Sequence, residues 1–225
     1  MAGYLTADDH KRVSDAVALA ESRTAGEIVT VVADRSDGYS DVAFAWSALV
    51  SFTALALFAL FPDVYLGLLE RVLGGWNHEW TNREVLGIAT AIAIVKFLAV
   101  WAILHWQPLR FFLVPPPIKT SRALGRAIDL FKVGAERRTH GRTGILIYLS
   151  MREHRAEIVA DEAIASKVTP ETWGEAMAAM LEHIKQGRCV DGMIAAVGKV
   201  GEVLAEHFPR AENDTNELPD RLIEL

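Results

Sequence analysis

Two stretches, residues 42–61 and 85–106, are apolar at nearly every position, and they interrupt a chain whose other segments mix apolar and polar positions at short periods. The first holds no ionisable side chain. At about 1.5 Å of rise per residue its length matches the roughly 30 Å hydrocarbon core of a bilayer. The second is slightly longer and carries one internal charge, Lys96. Buried helices of soluble proteins keep a polar stripe over such lengths, so both runs predict transmembrane helices, paired as a hairpin through a loop at 62–84. The first run begins behind an acidic, helix-like segment, which does not read as a signal peptide.

Outside the hairpin the pattern changes period. Thr6 with Asp8 and Asp9 opens a helix whose apolar face is Val13, Val17 and Ala20. Ile28 to Ala33 is apolar on both faces and rich in β-branched residues, the pattern of a strand covered on two sides. After the second span, Pro115-Pro116-Pro117 predicts a stiff exit, and Thr120 or Ser121 a cap for a helix with Leu124, Ile128, Phe131 and Ala135 on one face. Ile145 to Leu149 and Ala156 to Ala160 predict a hairpin. Two helices follow. The first starts at Thr169-Pro170-Glu171, buries Trp173, Met177 and Leu181 or Ile184, and stops at Gly187. The second, Asp191 to His207, buries Ile194, Val197, Val200 and Leu204. Leu218, Leu222 and Ile223 predict a tail that docks.

Strand, crossover and strand make a βαβ unit whose crossover is lengthened by the hairpin, so the two strands are expected to be parallel neighbours. An even number of spans returns the chain to the side it left. Residues 1–41 and 107–225 can therefore form one discontinuous α/β domain, an α/β/α sandwich around a small mixed sheet, with 42–106 as the transmembrane hairpin. In the loop, Leu66, Leu69 and Leu73 allow a short helix on the membrane surface, Tyr65, Trp76 and Trp80 suit the headgroup boundary, and His78 with Glu79 is a remote site candidate.

Charge sets the orientation. Arg23, Arg35, Arg110, Lys119, Arg122 and Arg126 flank the spans on the domain side, against Arg71 and Arg83 in the loop, which places both termini in the cytoplasm of a cell membrane. The net charge of −6 gives no sign of nucleic-acid binding. The single cysteine, Cys189, cannot form an internal disulfide, which suits a reducing compartment.

The segments Thr24-Ala-Gly-Glu-Ile-Val-Thr-Val-Val32, Gly141-Arg-Thr-Gly-Ile-Leu-Ile-Tyr-Leu-Ser150 and His154-Arg-Ala-Glu-Ile-Val-Ala-Asp161, in this order, resemble the TPM domain family. The resemblance extends over nearly all of the soluble part and is nearest to the family's bacterial membrane proteins. It implies an α/β/α sandwich with a small mixed sheet. For activity it implies two alternatives: acid phosphatase activity with calcium binding, proposed for plant relatives, or action through protein partners in assembly, repair or receptor modulation. Many relatives carry a glycine-containing turn where this chain reads Ala160-Asp161-Glu162-Ala163-Ile164.

Candidate chemistry is acidic. Asp34 and Asp37 follow the first strand, Asp161 and Glu162 the third, and Asp191 starts a helix. Three or four such carboxylates converging at a sheet edge can hold Ca²⁺ or Mg²⁺ through oxygen. Each also suits a turn or a helix start, and the third strand runs back from the second, which sets Asp161 toward the opposite edge from Asp34. No zinc-protease, Walker or dinucleotide motif occurs, and no arginine follows Cys189 at cysteine-phosphatase spacing. Arg137, Arg138, His140 and Arg142 form a basic run suited to anionic headgroups or a docking partner. Lys96, in mid-span near the depth of Ser51 and Thr53, calls for a partner in the membrane, a second copy or another membrane protein, unless it snorkels or stays neutral. Two functions follow: a non-catalytic interaction or assembly module for membrane protein partners, or a metal-dependent phosphatase-like hydrolase tethered to the bilayer.

Overall fold

The computed structural model describes residues 5–73, 79–134, 143–169, 171–210 and 216–225. The chain forms two compact units, one made of Met1–Asp37 with Pro115–Leu225 and the other of Gly38–Val114.

The first unit opens with α1 (Ala7–Glu21), fixed at its start by reciprocal hydrogen bonds between Thr6 and Asp9 that satisfy two otherwise orphaned donors. The expected apolar face, Val13, Val17 and Ala20, is buried. Strand β1 (Glu27–Ala33) follows and is buried along its whole length. After the second unit the chain returns as α6 (Pro116–Gly134), β2 (Gly144–Ser150), β3 (Arg155–Ala160), α7 (Glu162–Ala165), α8 (Thr172–Ile184), α9 (Cys189–His207) and β4 (Ile223–Glu224). The sheet order is β3-β2-β1-β4: β1 runs parallel to β2 with Glu27 opposite Gly144, β3 pairs antiparallel with β2, and β4 joins the other side of β1 in parallel.

Strand alternation sends side chains into two cores. Ile28, Val32, Ile145, Ile147 and Leu149 pack with α1, α8 and α9, while Val29, Val31, Ala33, Leu146 and Tyr148 pack with α6. The result is a mixed α/β fold with a small mixed sheet and helices on both of its faces.

Several elements depart from the sequence reading. Pro116 and Pro117 are the first residues of α6, where a missing N–H costs nothing. Thr120 is therefore inside the helix, its hydroxyl donating to the Pro116 carbonyl. The buried stripe of α6 is Ala123, Ala127 and Phe131, and Leu124 is exposed, because two alanines let the helix lie close on the sheet. Ala135 lies outside the described residues. In α8, Ala176 and Met180 are fully buried, Trp173, Met177 and Ile184 partly so, and Leu181 is exposed. The helix ends at Ile184, three residues before the expected stop at Gly187, whose φ of 76° lets the Arg188 N–H turn back to the His183 carbonyl; Pro170 is not among the described residues. In α9, Val197, Val200 and Leu204 are buried as expected and Ile194 is half-buried.

In the second unit, α2 (Ser40–Leu60) and α4 (Asn82–Ile103) are long and apolar enough to cross a membrane. Between them α3 (Pro62–Leu73) realises the helix suggested by the leucine spacing. Phe44 of α2 stacks on Phe97 and Trp101 of α4, and the Ser51 hydroxyl donates to the Ala93 carbonyl. A helix unforeseen in the sequence, α5 (Gln107–Leu113), belongs to this unit. Its Arg110 donates to the Gly38 carbonyl, and Phe111 meets Tyr39 edge-on at 5.3 Å. Tyr39 itself sits in the left-handed region, φ 52°, with its ring wholly buried.

Candidate functional site

Parallel β1 and β2 end together, so their carboxyl ends and the segments that follow form one polar edge. Main-chain bonds join it first: the Met151 and Arg152 N–H groups donate to the carbonyls of Ala33 and Asp34, and the Asp34 N–H donates to Leu225. Side chains complete it. Glu153, almost fully buried, accepts from the Ser36 N–H at 3.0 Å and from the Ser150 hydroxyl, and the Ser36 hydroxyl pairs with the Tyr148 phenol at 2.9 Å. Burial pushes the Tyr148 phenol above its ordinary range, against the opposing hydrogen bonds from Ser36 and Ser150. A serine against a carboxylate has the look of an activated nucleophile, yet Ser150 is wholly buried, so the arrangement acts as a latch between the loop after β1 and the β2–β3 turn.

Asp34 lies at this edge and pairs with Arg152 at 2.7 Å, and Asp37 pairs with Arg122 at 3.2 Å. Asp161 lies at the other end of the sheet, where its N–H donates to the Gly144 carbonyl and its carboxylate caps α7 by accepting from Glu162. Seven residues of strand at about 3.3 Å each set the two edges roughly 20 Å apart, far beyond the reach of one cation. Asp191 sits in the first turn of α9 between Arg12 at 2.6 Å and Arg188 at 3.2 Å. The hydrogen bond from Arg12, reinforced by that from Arg188, holds its carboxyl below the usual range. The set Asp34, Asp37, Asp161 and Asp191 is thus not one constellation, because the antiparallel turn at Met151–His154 reverses β3. Among the described residues no group of three or more His, Cys, Asp or Glu side chains is arranged to hold a metal ion.

Lys96 is exposed on α4 and makes no hydrogen bond or ion pair with any described residue. The hydroxyls of Ser51 and Thr53, its neighbours in expected depth, are turned to main-chain carbonyls of Ala93 and Leu49. His78, Trp76 and the basic run 137–142 lie outside the described residues. Cys189 is half-buried beside Met151, with its thiol pushed up by burial, the state of an inert cysteine.

A second polar cluster went unrecognised in the sequence. Glu21 ends α1 and Glu27 begins β1, both nearly fully buried. Glu21 accepts from the Ile28 N–H at 2.7 Å, and Glu27 accepts from the N–H groups of Glu217 and Leu218 at 3.2 and 3.1 Å. The available signal was a carboxylate heading an otherwise apolar strand.

A mixed four-stranded sheet with helices on both faces, its parallel pair meeting in a polar edge, defines the class of this protein. Within that class the model of the TPM domain family matches residues 119–203, from the first half of α6 into α9. The match leaves out α1 and β1, which the sequence resemblance had included. None of the curated proteins matches the chain. Among solved structures, the NMR structure of the BA42 protein from the psychrophilic bacteria Bizionia argentinensis is similar, with a TM-score of 0.58 and 19% identity over 100% of this chain and 98% of that one. At that identity the likeness concerns the fold alone.

Proposed function

We propose that this protein is a membrane-anchored TPM-domain protein, held in the cell membrane by α2 and α4 with both termini in the cytoplasm. Its domain serves as a non-catalytic interaction or assembly module for a membrane protein partner or a second copy. The observation that carries this reading is the outward apolar surface of the two long helices. Phe52, Leu60, Leu86 and Val95 are each more than 60% exposed, a surface that water disfavours and lipid accepts. The engagement of Asp34, Asp37 and Asp191 with arginines and the burial of Ser150 favour an interaction role over hydrolysis.

Crosslinking in native membranes followed by affinity purification tests the proposal, with a recurrent membrane protein or a crosslinked dimer as the expected product. Metal-dependent phosphate release by the detergent-purified protein, abolished in an Asp34→Ala variant that remains folded, would instead assign the hydrolase role.

A further inference from the structure

The C-terminal segment 216–225 wraps the outer edge of the sheet. Leu218 enters the core shared with α6, whereas Leu222 enters the core shared with α1 and α9, so the segment grips both faces. Between and beyond these anchors the grip is polar. Glu27 holds the N–H groups of Glu217 and Leu218, the Leu225 N–H donates to Val32, and His10 of α1 meets Glu224 at 3.0 Å. Beneath the start of the segment lies a small cavity lined by Glu21, Thr24, Glu27, Arg210, Asn216 and Asp220. Glu21 is 7% exposed, and its buried Oε2 atom has no hydrogen-bond partner among the described residues.

We propose that residues 216–225 form a proton-gated strap, closed over the outer edge of β1 while Glu21 carries a proton and released from it when Glu21 ionises. A buried carboxylate oxygen lacking a donor is costly as an anion and far less so as an acid. The charged groups around Glu21 reinforce this. Glu27 faces it from β1 and Asp220 from the strap, both repelling a third negative charge. α9 packs on this end of α1 through the uncharged Gly201. Arg210 lines the cavity and reaches the Glu21 main-chain carbonyl at 3.5 Å. Burial first, then Glu27 and Asp220, push the Glu21 carboxyl from its ordinary 4.5 up to about 8, against the favourable hydrogen bond from Ile28.

The sign follows from linkage. The folded value is raised, so the closed state is fully favoured below pH 4.5 and loses that advantage as pH rises to about 8. With one proton released on opening, the open population grows up to about tenfold per pH unit in that window and levels off above it. Opening uncovers the main-chain edge of β1 at Val31 and Val32, which β4 otherwise pairs.

Hydrogen exchange on the full chain in detergent micelles tests this, with each pH referenced to the Glu21→Gln variant. The glutamine keeps an oxygen for the Ile28 N–H and mimics the protonated acid. The expected result is that exchange at Leu218 and Leu225 in the native protein gains on the variant by up to about tenfold per unit between pH 6 and 8, while β2 amides show no such gain. An unchanged ratio, or an equal gain in β2, overturns the strap. Should Glu21→Gln fail to fold, Asp220→Asn serves instead: removing one repelling charge must move the levelling-off to lower pH, and an unmoved profile overturns the proposal.

Discussion

Where α1 crosses α9, Gly201 approaches so closely that an added Cβ would stand 2.7 Å from the Cβ of Ala20, whereas three residues earlier Gly198 has open space around it. These two glycines of one helix predict opposite outcomes. Gly201→Ala overpacks the contact and is expected to cost about 1–3 kcal/mol, while Gly198→Ala gains helix propensity and is expected to stabilise by up to about 1 kcal/mol. Urea unfolding of both variants in micelles measures the difference; equal midpoints would contradict the close approach. The same scale shows what sequence patterning leaves out. The two glycines look alike in the sequence, as do Glu21 and any surface glutamate, because burial by a distant segment leaves no local mark. Val13, Val17 and Ala20 were legible because their core is reached by helical period alone.

Among the elements, α4 poses the sharpest question. A charge in mid-span costs about 2.5–3.5 kcal/mol on insertion scales. Lys96 faces outward, with no ion pair to any described residue, so a carboxylate or carbonyl on a membrane partner is its expected complement. Lys96→Leu is expected to leave insertion intact and to diminish co-purification of that partner, read by quantitative pull-down from solubilised membranes. A pull-down indistinguishable from the native protein's removes Lys96 from any such role. Element boundaries show a parallel lesson. The two long apolar helices were readable from hydropathy, but α4 begins three residues earlier than its apolar run because Thr81 and Glu84 close a capping box. The two-residue β4 is too short to leave a period of its own, and it exists through main-chain bonds to β1.

For the whole molecule, the two-helix insertion and the positive charges beside it lead to one cell-level prediction. The protein is expected to resist alkaline carbonate extraction, and tags at both ends are expected to be reached by protease only after the cell membrane is opened. Release of the protein into the carbonate supernatant, or cleavage of either tag in intact cells, would refute the anchored arrangement.

By itself the sequence determined the alternation of periods: two apolar runs of membrane length, strands apolar on both faces, and helices with capped ends. These are local consequences of hydrophobicity and backbone chemistry, and the parallel pairing of β1 with β2 followed from them. Tertiary structure alone decided which carboxylates meet. Asp34 and Asp161 each follow a strand and look equivalent along the chain, but the reversal of β3 sends them to opposite ends of the sheet. Glu21, Glu27 and Asp220, separated by up to 199 positions, line one cavity because the tail folds back onto β1. A pattern of periods records which face a residue takes, and only the closed fold records what stands opposite that face.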